Sequence, residues 1–523
     1  MIDRENHKES ISLQIPDTAF WTLILIIMII GLTLRTYDLG SLPDGLYRDE
    51  AANGYDAYSI GLTGKSLHGE WLPLFFNHHG VDHVESLYTY LSVPFVYLFG
   101  LSVFSTRLLA GLAGTCAILT TGLLARELSG RLVGVIAAFI VAFSPWHLVF
   151  SRVAFRGVLL PLCTTLAIYL FLRALKAPRY FLYCGVAFGL TLHTYAVAKL
   201  LVPILALLLL ILHRKDLADL VREAGKGRVH VLGGFLIAIA FAVPVYGFVF
   251  WGPGNSRFEE ISVFGEAGGF GVFVQNIWLH LTPDFLFLNG DANPRHSVPG
   301  YGQLSVFLFP FVLLGLGDAY RKRSISSLLP PLAFTLGVLP AALTIESIPH
   351  ALRSFGAFPF LEITAAAGIG WAMERMNRAS ENLRNGLFAG LLLIVLYGSG
   401  SFVSTYFGEY RATSQQSFQF GMAEALRIAE LESSQYDQIV LSPLIRGAYV
   451  FVLFFTQSDP TGYQTSRELG KYVVDAETVT TPGRYLFLLN AFENLGDLEV
   501  SHWIRRANDE PYLKLIPLQI HPE

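Results

Sequence analysis

Charge is what this sequence has least of. Asp, Glu, Lys and Arg make up 15% of its 523 residues, against roughly 25% in soluble domains. An ordinary soluble fold is therefore excluded. Cysteine is scarce too: Cys116, Cys163 and Cys184 all fall inside apolar runs. They read as small packing residues, not disulfide partners or metal ligands, and say nothing of the redox compartment. The net charge is only −4 and no basic cluster is interleaved with aromatics, so nothing points to nucleic acid. No repeat with a period of about 20–50 residues is present, nor any low-complexity tract. A glycine-rich nucleotide-binding loop is also missing. The first apolar stretch, Phe20–Leu34, has no small-residue cleavage site after it, so it is expected to stay as a membrane helix, with no signal peptide.

Long apolar runs are what the chain does have. Mean hydropathy is +0.47, and 53% of residues are hydrophobic. Spans are expected at about 19–35, 104–125, 132–149, 158–176, 181–196, 197–212, 229–250, 303–319, 327–344, 355–373 and 385–403. Ser86–Gly100 is apolar but only 15 residues long and carries Pro94; it reads as juxtamembrane or re-entrant. If it does not cross, the basic groups Arg126/Arg131, Arg173/Lys176/Arg179, Arg214–Arg228, Arg321–Arg323 and Arg375–Arg384 share one side with the N-terminus. By the positive-inside rule that side is the cytoplasm. The fold class is then an all-α polytopic membrane protein of about eleven spans. After residue 404 the long apolar runs stop. Helical pattern over Phe418–Ser433 alternates with strand-like Gln438–Leu441 and Tyr485–Leu489, which predicts a small extracytoplasmic α/β domain. The expected division is 1–403 and 404–523, with a first outer loop over 36–103.

Three acids and an arginine follow the first span directly: Asp44, Arg48, Asp49 and Glu50. Carboxylates near lipid are expensive to dehydrate, so the cluster invites a functional reading. Asp49 also suits the N-cap of a helix with Ala51, Tyr55, Tyr58 and Leu62 on its inner face. The two readings are compatible, because a capping carboxylate still presents one oxygen. Further outer segments bring Arg152, Arg156, Lys199, His350 and Arg353. A few carboxylates with a ring of cations at one surface suit transfer from a lipid-linked phosphate. A carboxylate takes the acceptor's proton, and cations neutralise the departing phosphate. Taken singly, Arg107, Arg152 and Lys199 also fit side chains reaching for lipid phosphates. His78, His79, Asp82, His83 and Glu85 are metal-binding residue types without the regular spacing of a helical site. His83 and Glu85 are the candidate ligands, and a divalent metal stays open.

Four stretches together resemble the GT-C superfamily of polyprenyl-phosphate-sugar-dependent glycosyltransferases, in the branch of the protein O-mannosyltransferases and lipid A aminoarabinose transferases (family 39-like). They are Tyr47-Arg-Asp-Glu50; Ser144-Pro-Trp-His147 with Ser151–Arg156; Leu192-His-Thr-Tyr195 with Lys199; and Ile348–Arg353. The likeness covers about residues 18–405. It implies an inverting transferase of a cell membrane, with polyprenyl-phosphate sugar as donor and a protein, lipid or glycan as acceptor. Asp49, paired with Glu50, would be the catalytic base. Glu85 would be a second acid arranging the acceptor or a metal. Relatives often carry Asp in the loop after the third span; here the residues are Phe155-Arg156-Gly157. Arg156 therefore joins Lys199, His350 and Arg353 as a phosphate contact. A transporter or flippase of lipid-linked sugar is the rival, although such sites sit near the bilayer midplane and often come with internal repeats.

Overall fold

The computed structural model describes residues 15–78, 82–222, 225–265, 268–377, 379–474, 481–493 and 498–521. Among these, seven helices are long and apolar enough to cross a membrane: Asp17–Thr36, Val103–Ser129, Arg156–Lys176, Lys226–Trp251, Ile325–Ala342, Phe355–Met376 and Glu381–Phe407. Four shorter apolar helices accompany them: Leu87–Phe99, Arg131–Phe143, Tyr180–Leu192 and Ala198–Leu212. Leu87–Phe99, Arg131–Phe143 and Tyr180–Leu192 each have 13 residues and rise about 20 Å.

One expected span is corrected. The run 132–149 breaks at Ser144, which is extended, and Pro145 opens a separate short helix, Pro145–Phe150. Proline suits the first turn of a helix, where its missing N–H is not needed.

The helices sort by burial. The windows of Val103–Ser129 and Phe355–Met376 are 72% and 83% buried, against 11% for Lys226–Trp251 and Glu381–Phe407. The first pair forms the centre of the bundle; the second pair leaves most of its apolar surface outward, as helices in lipid do. Close helix contact rests on small residues. At Gly185 a Cβ would overlap the backbone of Gly234, so helices Tyr180–Leu192 and Lys226–Trp251 meet backbone to backbone.

Two features position the first loop. Helix Arg48–Thr63 begins after Tyr47, and an antiparallel hairpin pairs Phe75–His78 with Asp82–Glu85. The C-terminal part holds a five-stranded sheet in the order Tyr472–Val474, Gln438–Leu441, Gly483–Asn490, Pro511–Ile520, His502–Arg505. The first two pairings are parallel and the rest antiparallel. Its core is not closed on itself. Ala51, Ala52, Tyr55 and Leu67 of the first loop share one apolar cluster with Leu426, Phe451, Phe454, Leu486 and Leu515.

Candidate active site

The acid pair of the first loop divides into two unlike residues. Glu50 is fully buried. Arg107 grips it with two parallel bonds, Nε to Oε2 at 2.8 Å and Nη2 to Oε1 at 2.9 Å, the strong bidentate geometry. The amides of Ala154 and Tyr47 donate to the same oxygens at 2.9 and 3.1 Å. Arg107 spends its remaining donors on the carbonyls of Pro43 and Gly45, both at 2.8 Å. The expectation that Glu50 shares the chemistry is corrected: a carboxylate with four donors and no exposure is an anchor. Arg107 is likewise no side chain reaching for lipid. Nor is Arg152, which is buried and donates to Leu34 O at 2.7 Å and Leu42 O at 3.0 Å.

Asp49 is the acid that faces outward. Its helix starts one residue earlier, at Arg48, and the residue before the helix is Tyr47. The capping role expected for Asp49 belongs to Glu50, whose side chain accepts the Tyr47 amide. The Asp49 side chain is 37% exposed, with Arg48 Nε 3.5 Å away.

The cations singled out in the sequence gather around Glu85 and Tyr195. The hairpin carries Glu85 into the interior, where Lys199 Nζ approaches Oε1 at 2.9 Å. Burial would raise the Glu85 carboxyl, but Lys199 and Arg156 outweigh it and hold the group below the usual carboxylate range. Arg156 heads the turn Arg156–Val158. Its Nε and Nη1 are buried and have no hydrogen-bond partner among the described residues. Dehydrated guanidinium nitrogens of this kind are costly until an anion meets them. Tyr195, which the sequence reading quoted without a role, stands beside Gly157. Burial pushes its hydroxyl above the ordinary phenol range, Arg353 and Arg156 ease the shift, and Glu85 and Asp49 add to it. One phenol therefore feels Arg353, Arg156, Glu85 and Asp49.

A second group of residues was not foreseen. Asp291, His296 and His350 each place a ligand-type atom within 4.8 Å of the others. Asp291 Oδ2 accepts from His296 Nδ1 and from the Ala351 amide, both at 2.8 Å, and Oδ1 takes the Asn293 amide at 2.8 Å. The Arg353 amide donates to His350 Nδ1 at 3.3 Å, leaving Nε2 to carry the proton. Burial, then His296 and Arg353, push His350 well below the ordinary histidine range. His350 is thus a neutral donor at pH 7, not one of a ring of cations. Arg353 is also partly committed: it reaches Glu346 Oε2 at 2.7 Å and Thr344 Oγ1 at 3.2 Å. Tyr47 links this group to the first loop, with Arg295 stacked 3.9 Å over its ring.

The metal-type residues of the hairpin, left open as ligands, have other partners. His78 Nε2 lies 2.9 Å from Asp56 Oδ2, Glu85 is held by Lys199, and His79 lies outside the described residues. His83 shares the Glu85 face of its strand, its ring against Phe248. The three residues fitted for a divalent ion are instead Asp291, His296 and His350. The carboxylate there already accepts three donors, so an ion would have to compete with the backbone for it.

Residues 86–248 match the family model described as dolichyl-phosphate-mannose-protein mannosyltransferase. The structure is similar to that of ArnT from Cupriavidus metallidurans bound to undecaprenyl phosphate, with a TM-score of 0.55 at 13% identity, over 96% of this chain and 98% of that one. The chain has the GT-C glycosyltransferase fold. A second GT-C match is the archaeal oligosaccharyltransferase AglB from Archaeoglobus fulgidus, in complex with an inhibitory peptide and a dolichol-phosphate. Its TM-score is 0.53 at 14% identity, over 90% of this chain and 69% of that one. A sequence search of curated proteins gives no match. The transporter alternative gains no support from the GT-C matches.

Proposed function

We propose that this chain is an inverting glycosyltransferase that moves a sugar from a polyprenyl-phosphate donor to an acceptor hydroxyl. The observation that carries this reading is half-buried Arg156, whose Nε and Nη1 are buried without a hydrogen-bond partner among the described residues, near enough to Tyr195, as Asp49 is, for both charges to act on its hydroxyl. An anionic leaving group would complete Arg156, and an acceptor would be deprotonated at Asp49. Asp49 takes the acceptor's proton as its oxygen attacks the anomeric carbon from the face opposite the phosphate. Arg156 and Lys199 hold the departing phosphate, Arg353 adds charge, and His350 and Tyr195 add neutral donors. Glu85, itself buried, keeps Lys199 in place. Residues 1–403 carry this machinery, and 404–523 form an α/β unit on the same side. The direct test is to incubate membranes holding the protein with radiolabelled polyprenyl-phosphate sugars and follow which fraction takes up label. No label from any such donor, in membranes where the protein is folded, would overturn the reading.

Orientation follows from the one-sided basic loops: the N-terminus is cytoplasmic and the site lies outside. A cysteine introduced at Lys322 should be shielded from an impermeant thiol reagent in intact cells, and one at Asn289 should react. The reverse pattern would mean that Leu87–Phe99 crosses the membrane.

Metal dependence has its own test. Because Asp291 already accepts from His296 and two backbone amides, transfer should survive EDTA. Loss of activity restored by a single divalent ion would instead make Asp291, His296 and His350 its ligands.

A further inference from the structure

The start of the Asp49 helix is held from the C-terminal part of the chain by two glutamines. Gln419 Oε1 accepts the Arg48 amide at 3.0 Å, and its Nε2 donates to Arg446 O at 2.9 Å. The Arg48 amide is the first of the four N–H groups that a helix cannot satisfy internally. Gln419 reaches it from 371 residues away. To do so its backbone takes φ +48, a left-handed conformation that non-glycine residues keep only when their surroundings impose it. Gln415, which is buried, repeats the pattern: Nε2 donates to Asp44 Oδ2 at 2.8 Å, and Oε1 accepts the Ala507 amide at 2.9 Å. Ser414 Oγ takes the Asp44 amide at 3.1 Å. At Gly45, with φ +105, a Cβ would overlap the Phe418 carbonyl. Arg107 holds the same residues from the other side, through Pro43 O, Gly45 O and Glu50.

We infer that Gln419 and Gln415 are positioning residues for transfer, setting the first turn of the Asp49 helix from the C-terminal unit. This rests on the reading of Asp49 as the base. Each glutamine divides its amide, one atom to the first loop and one to the C-terminal unit. Apolar attachment is already supplied by Ala51, Ala52 and Tyr55, so the glutamines add orientation. Consecutive Cα atoms are 3.8 Å apart, and a shift at the Arg48 amide is passed directly to Asp49. A misplacement of about 1 Å in a reacting group can cost on the order of 10²-fold in rate.

The test uses the full chain in proteoliposomes, with Gln419→Leu and Gln419→Glu. The leucine variant loses both bonds; the glutamate variant keeps an acceptor for the Arg48 amide. Gln419→Leu should lower kcat by about 10-fold or more, leave the donor KM nearly unchanged, and speed hydrogen exchange in a peptide spanning 44–52. Gln419→Glu should recover most of the rate and the protection. Unchanged kcat or unchanged exchange in Gln419→Leu would overturn the inference, as would a glutamate variant as impaired as the leucine one. If the parent protein transfers no sugar, the functional reading fails instead, and the exchange measurement still decides whether the glutamines hold the helix.

Discussion

Asp49→Asn is expected to lower turnover by roughly 10²–10⁴, the usual contribution of a positioned general base, with the protein folded and donor binding unchanged. The amide keeps the shape of the side chain but cannot accept the acceptor's proton. The structure sharpens the comparison with alanine. Had Asp49 been the N-cap, alanine would cost about 0.5–2 kcal/mol of stability. Since Glu50 takes the Tyr47 amide and Asp49 is part-exposed, Asp49→Ala should melt near the parent temperature and be as inactive as the asparagine variant. Donor binding should persist in both, because the proposed phosphate contacts lie on Arg156 and Lys199. Single-turnover transfer, together with equilibrium binding of the lipid donor, separates these effects. A folded Asp49→Asn protein that binds donor and transfers at near the parent rate would remove Asp49 from the mechanism.

Arg107→Met, in helix Val103–Ser129, should strongly destabilise the first loop that it holds. It leaves Glu50 charged, fully buried and facing only two backbone amides, while Pro43 O and Gly45 O lose their donor. Removing one partner of a buried ion pair costs about 3–5 kcal/mol. Glu50→Gln combined with Arg107→Met should recover part of the loss, because the uncompensated charge is gone. Thermal melting in detergent, read alongside the yield of folded protein, measures both. A single variant as stable as the parent would show that the pair does not hold the loop.

How far the sequence disclosed this structure depends on the kind of signal. Most expected spans coincide with observed helices because dehydrating backbone in lipid leaves few alternatives to helix. The break at Ser144–Pro145 was hidden because both halves are equally apolar. In the C-terminal part, Gln438–Leu441 was foreseen and Pro511–Ile520 was not. Its two prolines argue against a strand. Yet Pro511 begins the strand and Pro517 lies past Leu515, where the neighbouring His502–Arg505 stops pairing, and proline is tolerated in such places. At the site, Asp49 and Glu50 read as one pair because they are adjacent. On a helix, neighbours point about 100° apart, so one is part-exposed while the other faces Arg107. Asp291 and His296 became visible only through loop folding, which no periodicity encodes, and Tyr195, quoted within a motif, gained its role there too. Their residue types, a carboxylate with a histidine five positions on and a tyrosine near Lys199, were the sole hint.

The apolar cluster that joins the first loop to the C-terminal sheet also sets an order of events during synthesis. Ala51, Ala52, Tyr55 and Leu67 emerge from the ribosome long before Phe451, Leu486 and Leu515 exist to cover them. At roughly 5–20 residues per second, helix Arg48–Thr63 waits some tens of seconds with its apolar face uncovered and the Arg48 amide without Gln419. A nascent chain therefore cannot carry a finished site, however many of its membrane helices are already in place. A later-made segment completes the packing of the first loop, and the proposed Asp49 site is set only once that segment has docked.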